Sequence, residues 1–343
     1  MSFVLHHQPA TYSFKNTLND FGLEQANEEI QMILYFGDHE GTIDPSNIAF
    51  VGNYTPDAYG DITINVRDIV SSYLSTKLPS GSYTLQTDYM RVFSAVFKGV
   101  DSEQTANARF WVANAEVSRS AAYANYIATH FMSTQPSIKH TTATAQEYLT
   151  FFAATDTKLR VKYHTPNGAE GTEDVFTSST NEWYSVDVSP AEIEDIVGLE
   201  LDYYTIELFD TDNEVVKCAQ RYNIDAPTER EKYYLWVNKL GGIDSFVATG
   251  ENVLQPVTKY NIGKADSTCK SLDDSEDYLS YKQDSGYCHR SWRTWLADLV
   301  QSKAEHWKIE YNKAYPIVIM ETDFGMSDYQ IISSFNFTYR FAQ

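Results

Sequence analysis

The segment Lys232-Tyr-Tyr-Leu-Trp-Val-Asn-Lys-Leu-Gly-Gly-Ile-Asp-Ser-Phe-Val-Ala-Thr-Gly250 decides the fold class. Two runs of aromatic and β-branched residues flank Gly241 and Gly242, and runs of this kind around a glycine turn are typical of a β-hairpin. Neither run carries a set of side chains that performs a reaction. The segment therefore predicts an architectural role for the hairpin.

The end of the chain has the clearest strand pattern. Between Ile331 and Phe341, aromatic side chains come to occupy every second position, with Ser, Asn, Thr and Arg between them. Strict alternation is typical of a β-strand that buries one face. A short helix is predicted before it, over Trp292 to Val300.

Two segments, 60–74 and 183–197, share one pattern in which an alternating strand runs into a short helix. In the second segment Ser189 is the predicted N-cap and Pro190 the first helical residue. A strand-like aromatic run follows each segment. We interpret the pair as a degenerate internal repeat of one β-sandwich unit.

The length of 343 residues exceeds one ordinary core and indicates three units. Many short strands with few helices favour an all-β, multi-domain protein of mainly antiparallel β-sandwich units. The polar segment at 133–144, whose composition suits a linker or an edge strand, suggests the first boundary. The segment at 224–231 suggests the second. The predicted domains are a β-sandwich-like domain at 1–132, a second at 133–228, and a C-terminal β-rich domain at 229–343 with an acidic loop insertion and a short helix.

The charge balance disfavours nucleic acid as a partner. Lys and Arg number 26 against 47 Asp and Glu, which gives a net charge of −21. Grooves that grip phosphates are built from clustered Lys and Arg, so we expect no specific nucleic-acid binding. No apolar run approaches the length of a membrane span, and the N-terminus lacks the pattern of a signal peptide, so we expect no membrane partner and no export.

The cysteines and histidines predict no metal site and no cofactor. Cys218, Cys269 and Cys288 contain no CxxC pair, and the eight histidines show no HExxH spacing. Cys269 and Cys288 could form one bridge across an acidic loop, or all three cysteines could be free thiols; the spacing leaves both open.

Two acidic segments have the composition of a catalytic or metal site. Asp210 to Glu214 has the oxygen-rich character of a partial calcium loop, but a turn between two strands accounts for the same residues. Leu272 to Tyr278 contains paired carboxylates of the kind used in glycoside hydrolysis, but a solvated loop or a subunit contact is favoured. The chain also has no GxSxG, GxxxxGK or GxGxxG motif. We therefore predict no catalytic residue and no enzyme activity.

The blocks at 60–70, Gly-Asp-Ile-Thr-Ile-Asn-Val-Arg-Asp-Ile-Val, and 236–250, Trp-Val-Asn-Lys-Leu-Gly-Gly-Ile-Asp-Ser-Phe-Val-Ala-Thr-Gly, resemble structural proteins of tailed phages and prophages of Bacteroidota, including crAss-like phages. The resemblance implies a non-enzymatic virion protein that multimerises as a tail, collar, ring or baseplate component. Its partners would be further copies of itself and other tail or portal-proximal proteins. It would reside in the virion after assembly in the host cytoplasm.

Aromatic strands are the predicted contact surfaces of such an assembly, because Tyr and Trp bury a large area. The predicted interface residues are Trp236, Gly241, Gly242, Phe246, Phe337 and Tyr339. The alternative function is a glycan- or receptor-binding β-sandwich module, an adhesin, with sugars stacked on exposed aromatic rings. The rings considered for that function are Tyr54, Tyr59, Trp111, Tyr123 and Trp183.

Overall fold

A computed structural model describes residues 3–102, 104–154, 157–178, 180–212, 214–259, 262–265, 268–271, 276–303, 305–325 and 329–342, with side chains outside 259–277. About 51% of the chain is strand and about 10% is helix. The predicted all-β, mainly antiparallel, multi-domain fold is confirmed. No helix among these residues is both long enough and apolar enough to cross a membrane.

A first sandwich is formed near the N-terminus. The elements of this part are β1 (Val4–His7), β2 (Tyr12–Phe14), β3 (Phe21–Glu24), β4 (Ile30–Gly37), β5 (Ile43–Tyr54), β6 (Ile62–Ile64), α1 (Arg67–Ser71), β7 (Tyr83–Leu85), β8 (Met90–Gly99), β9 (Thr105–Ala113) and α2 (Tyr123–Thr129). A sheet in the order β1-β3-β6 packs on a sheet in the order β2-β9-β8-β4-β5. Phe21 of the first sheet meets Phe97 of the second with ring centroids 5.1 Å apart.

A middle sandwich follows. Its elements are β10 (Ile138–Thr142), β11 (Tyr148–Ala153), β12 (Thr157–His164), β13 (Glu170–Thr177), β14 (Glu182–Asp187), α3 (Pro190–Val197), β15 (Tyr203–Asp210) and β16 (Val215–Asp225). A sheet in the order β10-β16-β15-β12-β13 packs on a sheet in the order β11-β14-β7. The pair β10–β16 is parallel, as is β2–β9 in the first sandwich. The other strand pairs described are antiparallel.

The C-terminal part is one large sheet with a helix on it. Its elements are β17 (Lys232–Val237), β18 (Ile243–Ala248), β19 (Asn252–Lys259), β20 (Ile262–Ala265), β21 (Thr268–Ser271), β22 (Glu276–Asp284), β23 (Cys288–His289), α4 (Arg293–Gln301), β24 (His306–Glu310), β25 (Lys313–Asp323), β26 (Ile332–Ser333) and β27 (Asn336–Phe341). The main sheet has the order β18-β17-β24-β25-β27-β22-β19, which we call the outer sheet. Helix α4 buries Trp295, Leu296 and Leu299 against it. The predicted helix at 292–300 and the predicted final strand are both confirmed.

The strand-to-helix pattern predicted at 60–74 and 183–197 is present at both places, as β6 with α1 and β14 with α3. Ser189 precedes α3 and Pro190 is its first residue, as predicted. The Ser189 side chain does not cap a helix N–H, however. Its hydroxyl donates to the Asp187 carboxylate and accepts the N–H of Glu147 at 2.9 Å. Ser189 therefore fastens α3 to the segment that leads into β11.

The hydrophobic clusters follow the order of the chain. The first gathers residues between Phe3 and Val112, the second between Phe131 and Tyr222, and the third between Tyr234 and Tyr339. Strand β7 departs from this order, because it precedes β8 and β9 in the chain but pairs with β14 of the middle sandwich. The exact domain boundaries stay a prediction.

A further cluster joins the three parts. It contains Phe14 and Tyr89 from the first part, Met132 and Trp183 from the middle, and Leu240 from the C-terminal part. The rings of Tyr89 and Trp183 stack with centroids 4.2 Å apart. The three units therefore share apolar contacts at one place.

The turn of the β17–β18 hairpin, residues 238–242, packs into this apolar cluster, and we call the turn the hairpin tip. Thr76 donates its hydroxyl proton to the carbonyl of Gly241, and Tyr89 donates its phenolic proton to the carbonyl of Leu240, both at 2.5 Å. Both donors belong to the segment between α1 and β8. The tip is therefore held by groups remote from it in sequence.

Asn238 organises the hairpin tip from within. Its side-chain oxygen accepts the N–H groups of Leu240 at 2.8 Å and Gly242 at 3.1 Å. Its side-chain nitrogen donates to the carbonyl of Met132 at 2.9 Å. Asn238 is 2% exposed, so each of these bonds satisfies a polar group that burial would otherwise leave costly.

Substituting Gly241 by Ala should be far more destabilising than substituting Gly81. Gly241 has φ +72°, and a Cβ there would lie 1.9 Å from the carbonyl oxygen of Asn114. Gly81 has φ +84° with no atom within 4 Å, so Gly81→Ala carries only the left-handed backbone cost, roughly 1–2 kcal/mol. We expect Gly241→Ala to lose at least about 2 kcal/mol more in urea unfolding. Equal losses would contradict the close approach of the tip.

Candidate functional site: the hairpin tip, the buried ion pair and the outer sheet

The residues predicted to contact other subunits are buried within the fold of this chain. Trp236 and Tyr339 are 0% exposed, Phe337 is 1% and Phe246 is 3% exposed. Trp236 packs on Trp295 of α4 with ring centroids 5.5 Å apart. Exposing one such side chain would cost roughly 1.5–3 kcal/mol, so these rings are held in the core.

The two glycines of the predicted interface also make contacts within the chain. A Cβ on Gly241 would meet the Asn114 carbonyl oxygen at 1.9 Å, and a Cβ on Gly242 would meet the Met132 carbonyl oxygen at 1.9 Å. The pattern of these residues indicated a buried face correctly. It did not indicate that the aromatic residues pack with α4, or that the glycine turn packs on the two sandwiches. The six residues predicted as an interface are therefore buried within the chain itself.

A buried ion pair lies where the middle sandwich meets the outer sheet. Lys139 of β10 places its Nζ 2.6 Å from Oε2 of Glu147, and the two side chains are 2% and 1% exposed. Nζ also donates to the carbonyl oxygen of Ser245 at 2.7 Å and to its hydroxyl at 2.6 Å. Thr141 donates to the other carboxylate oxygen at 2.8 Å. The ammonium thus has three acceptors, one for each of its protons.

Aromatic rings and one carboxylate surround this pair. The ammonium of Lys139 lies 5.1 Å from the ring centroid of Trp295 and 5.9 Å from that of Tyr222. Trp295 donates its indole N–H to Asp244 at 2.8 Å. Burial raises the pKa of Asp244 to about 6, although hydrogen bonds and the charge of Lys139 oppose the rise. The cluster joins the middle sandwich to the outer sheet, because Lys139 and Glu147 both form hydrogen bonds with Ser245 of β18.

This cluster was missed in the sequence because Lys139 lies in the polar segment 133–144, which we interpreted as a boundary. The signal was the strand-like spacing from Ile138 to Thr142, which forms β10 and pairs with β16. Lys139 is 1% exposed, and a buried lysine needs a buried partner.

Cys218 and Cys288 are poor nucleophiles in this fold. Burial raises the pKa of Cys218 to about 12 and that of Cys288 to about 11, so little thiolate forms near neutral pH. Cys288 is a free thiol, and the Cys269 side chain lies outside the described residues.

The two acidic segments have different outcomes. Asp210 accepts the N–H of Asp212 at 3.0 Å and pairs with Lys217 at 3.0 Å, in the turn between β15 and β16. The predicted strand turn is therefore confirmed. The acidic cluster at 272–278 has residues 272–275 outside the described residues and side chains described at Tyr278 alone.

The outer sheet carries an apolar groove of about 700 Å³. Its lining includes Pro256 of β19, Leu279 of β22, Val318 of β25, and Arg340 with Phe341 of β27. Leu279 is 54% exposed and Val318 is 45% exposed. Strand β19 is the last strand in the order of this sheet, so the groove lies toward a sheet edge. Exposed apolar surface beside a sheet edge is typical of a protein–protein contact.

The aromatic residues considered for glycan binding have different environments. Trp183 is 1% exposed and belongs to the core, whereas Tyr59 is 88% exposed. Trp111 and Tyr123 each stack on Tyr12, with ring centroids 5.3 Å and 5.5 Å apart. The side chain of Tyr54 is half-buried. Tyr59 is thus the ring in this set that solvent reaches most fully.

The fold is that of an all-β, multi-domain protein, with two sandwiches and a C-terminal sheet that carries a helix. No protein-family model matches it, and no curated protein sequence does. Among solved structures, it is similar to a tetra-tandem repeat in the extending region of a large adhesion protein. That match has 11% identity and a TM-score of 0.26, and it covers 82% of this chain and 69% of the other. A likeness this low says nothing about the fold or function of this chain.

Breaking the buried ion pair from one side should be strongly destabilising. Lys139→Met leaves the Glu147 carboxylate buried without its cation, and we expect a loss of about 3–5 kcal/mol in the free energy of unfolding. The double variant Lys139→Met/Glu147→Leu should recover part of that loss, because no uncompensated charge is left. The matched control is Lys158→Met, which removes one of the two cations, Lys158 and Arg160, that pair with the more exposed Asp174, and it should cost about 0–1 kcal/mol. The single variant Glu147→Leu completes the comparison. A double variant whose loss equals the summed losses of Lys139→Met and Glu147→Leu would refute the coupling.

The titration of Asp244 should make the protein less stable as the pH rises. Its pKa in the folded chain, about 6, lies above the ordinary value of 3.8. The stabilising contribution is therefore present below about pH 4 and is lost as the pH rises through about 6. Relative to the parent chain, Asp244→Asn should gain about 2 kcal/mol in unfolding free energy between pH 4 and pH 7. The exposed turn variant Asp212→Asn is the control, and the same pH trend in both variants would contradict the assignment.

Proposed function

We propose that this chain is a non-enzymatic structural subunit of a tailed-phage virion, which multimerises in a tail, collar, ring or baseplate. The blocks at 60–70 and 236–250, which resemble structural proteins of tailed phages, support this proposal. The observation that carries it is the buried hairpin tip, which holds three β-rich units in one body. A subunit of a repeating particle needs this property, because its contacts with successive neighbours repeat only if its own units keep fixed orientations.

The outer-sheet groove supplies the surface for multimerisation in this proposal, and its occupant is a second copy of the chain. The groove is mainly apolar and Arg340 is the charged residue in its lining, whereas the chain as a whole carries −21. A neighbouring copy therefore offers many carboxylates to pair with Arg340 while its apolar side chains fill the groove. Contacts of one face with a different face of the next copy close into rings when the rotation permits. Other tail or portal-proximal proteins are the further partners.

The charge gives this assembly a characteristic salt dependence. Copies that each carry −21 repel one another, and salt screens that repulsion while leaving apolar burial intact. Association through the groove should therefore strengthen as salt rises. Association dominated by single ion pairs would weaken instead.

The test is the mass of the purified chain by light scattering coupled to gel filtration, followed by negative-stain microscopy, at about 0.05 M and about 0.5 M salt. We expect a defined multimer that is more populated at the higher salt. Leu279→Glu places a charge in the groove and should shift the distribution toward the monomer. Leu199→Glu is the matched control, because Leu199 is 45% exposed and lies outside the groove lining.

A chain that stays monomeric at both salt concentrations would contradict self-assembly. The alternative is a glycan- or receptor-binding module, and the 88% exposure of Tyr59 favours it. A flat ring open to solvent can stack on a sugar face. Binding on a glycan array that is lost in Tyr59→Ala would then support the alternative.

A further inference from the structure

The turn between β4 and β5, residues 38–42, has a fixed shape. The Asp38 carboxylate accepts the N–H of Thr42 at 2.7 Å, and the Asp38 carbonyl accepts the N–H of Val92 at 3.3 Å. Gly41 has φ +98°, and Arg109 donates to its carbonyl. The turn therefore presents the intervening residues in a defined direction.

That turn brings His39 and Glu40 to Glu182, the first residue of β14 in the middle sandwich. The Nε2 atom of His39 lies 3.4 Å from Oε1 of Glu182. One nitrogen or oxygen atom from each of the three residues falls within 4.8 Å of the others. The side chains of His39 and Glu182 are 13% and 22% exposed, so the cluster is partly withdrawn from water.

The cluster has an excess of negative charge. Among the described residues, no lysine or arginine lies within ion-pair distance of Glu40 or Glu182. Two carboxylates this close repel each other. A divalent cation would remove it and would use the imidazole nitrogen as a third ligand.

The donor set indicates which cation fits. Two ligands about 2.1 Å from a tetrahedral metal lie about 3.4 Å apart, which matches the His39–Glu182 separation. Imidazole nitrogen with carboxylate oxygen suits Zn²⁺ and related first-row ions better than Ca²⁺ or Mg²⁺, which prefer oxygen alone. Three protein ligands leave at least one position for water.

We propose that His39, Glu40 and Glu182 bind a divalent transition-metal ion of the Zn²⁺ class. The ion fastens the β4–β5 turn of the first sandwich to β14 of the middle sandwich. It acts as a structural clamp, separate from the hairpin tip and independent of any assembly. The sequence analysis predicted no metal site, because the histidines show no HExxH spacing and Glu182 is remote from His39 in the chain.

The test is calorimetric titration of the chelator-treated full chain with Zn²⁺, together with its thermal unfolding midpoint. We expect one saturable site per chain and a higher midpoint with Zn²⁺, because binding to the folded state alone stabilises it. Loss of a residue that only supports a metal ligand typically weakens metal binding about 10–100-fold. Loss of a ligand itself should weaken Zn²⁺ binding by at least that factor. His39→Ala and Glu182→Gln should both show that loss.

Glu40→Gln keeps the test valid if the other variants unfold, because Glu40 is exposed and its substitution leaves the core intact. The matched control is His140→Ala, which removes a histidine 3.0 Å from the single carboxylate of Asp225. It should leave the Zn²⁺ affinity unchanged. The proposal fails if the chain has no saturable site, or if the three ligand variants His39→Ala, Glu40→Gln and Glu182→Gln all bind Zn²⁺ as the parent chain does.

Discussion

The close approach of the hairpin tip to the backbones of Asn114 and Met132 is the constraint on which the rest of the structure depends. A side chain larger than hydrogen at Gly241 or Gly242 would separate the C-terminal part from both sandwiches. Because the tip is buried, Asn238 must satisfy its amides internally, and Thr76 and Tyr89 must satisfy its carbonyls. Apolar contact at this place thus requires a complete set of hydrogen bonds, which also fixes the relative orientation of the three units.

The strands were predictable wherever the sequence alternates without interruption. The aromatic face from Phe337 to Phe341 and the hairpin around Gly241 follow from local patterns alone. The cover of those faces was not predictable, since nothing in the alternation at Trp236 indicates whether α4 or a neighbouring subunit packs on it. Local sequence determines that a face is buried, whereas tertiary structure determines what buries it.

The candidate sites were the least predictable part, because they join residues that are remote in sequence. Lys139 and Glu147 are near neighbours in the chain, but their third partner, Ser245, comes from β18. His39 and Glu182 meet only because the first two sandwiches pack side by side. Neither pair has a spacing motif. Polar residues of this kind are recognised from sequence only when their ligands are close together in the chain, as in HExxH.

Strand β7 has a consequence for the order in which the chain folds. Residues 83–85 are synthesised well before Tyr184 to Val186, with which they pair, so this contact spans about 100 residues. During translation, β7 is synthesised with the first sandwich and has no β14 to pair with until β14 has left the ribosome. The middle sandwich is therefore completed by a strand from outside its own stretch of chain. If a second chain supplied that strand first, the two molecules would be exchanged at β7 into a swapped dimer.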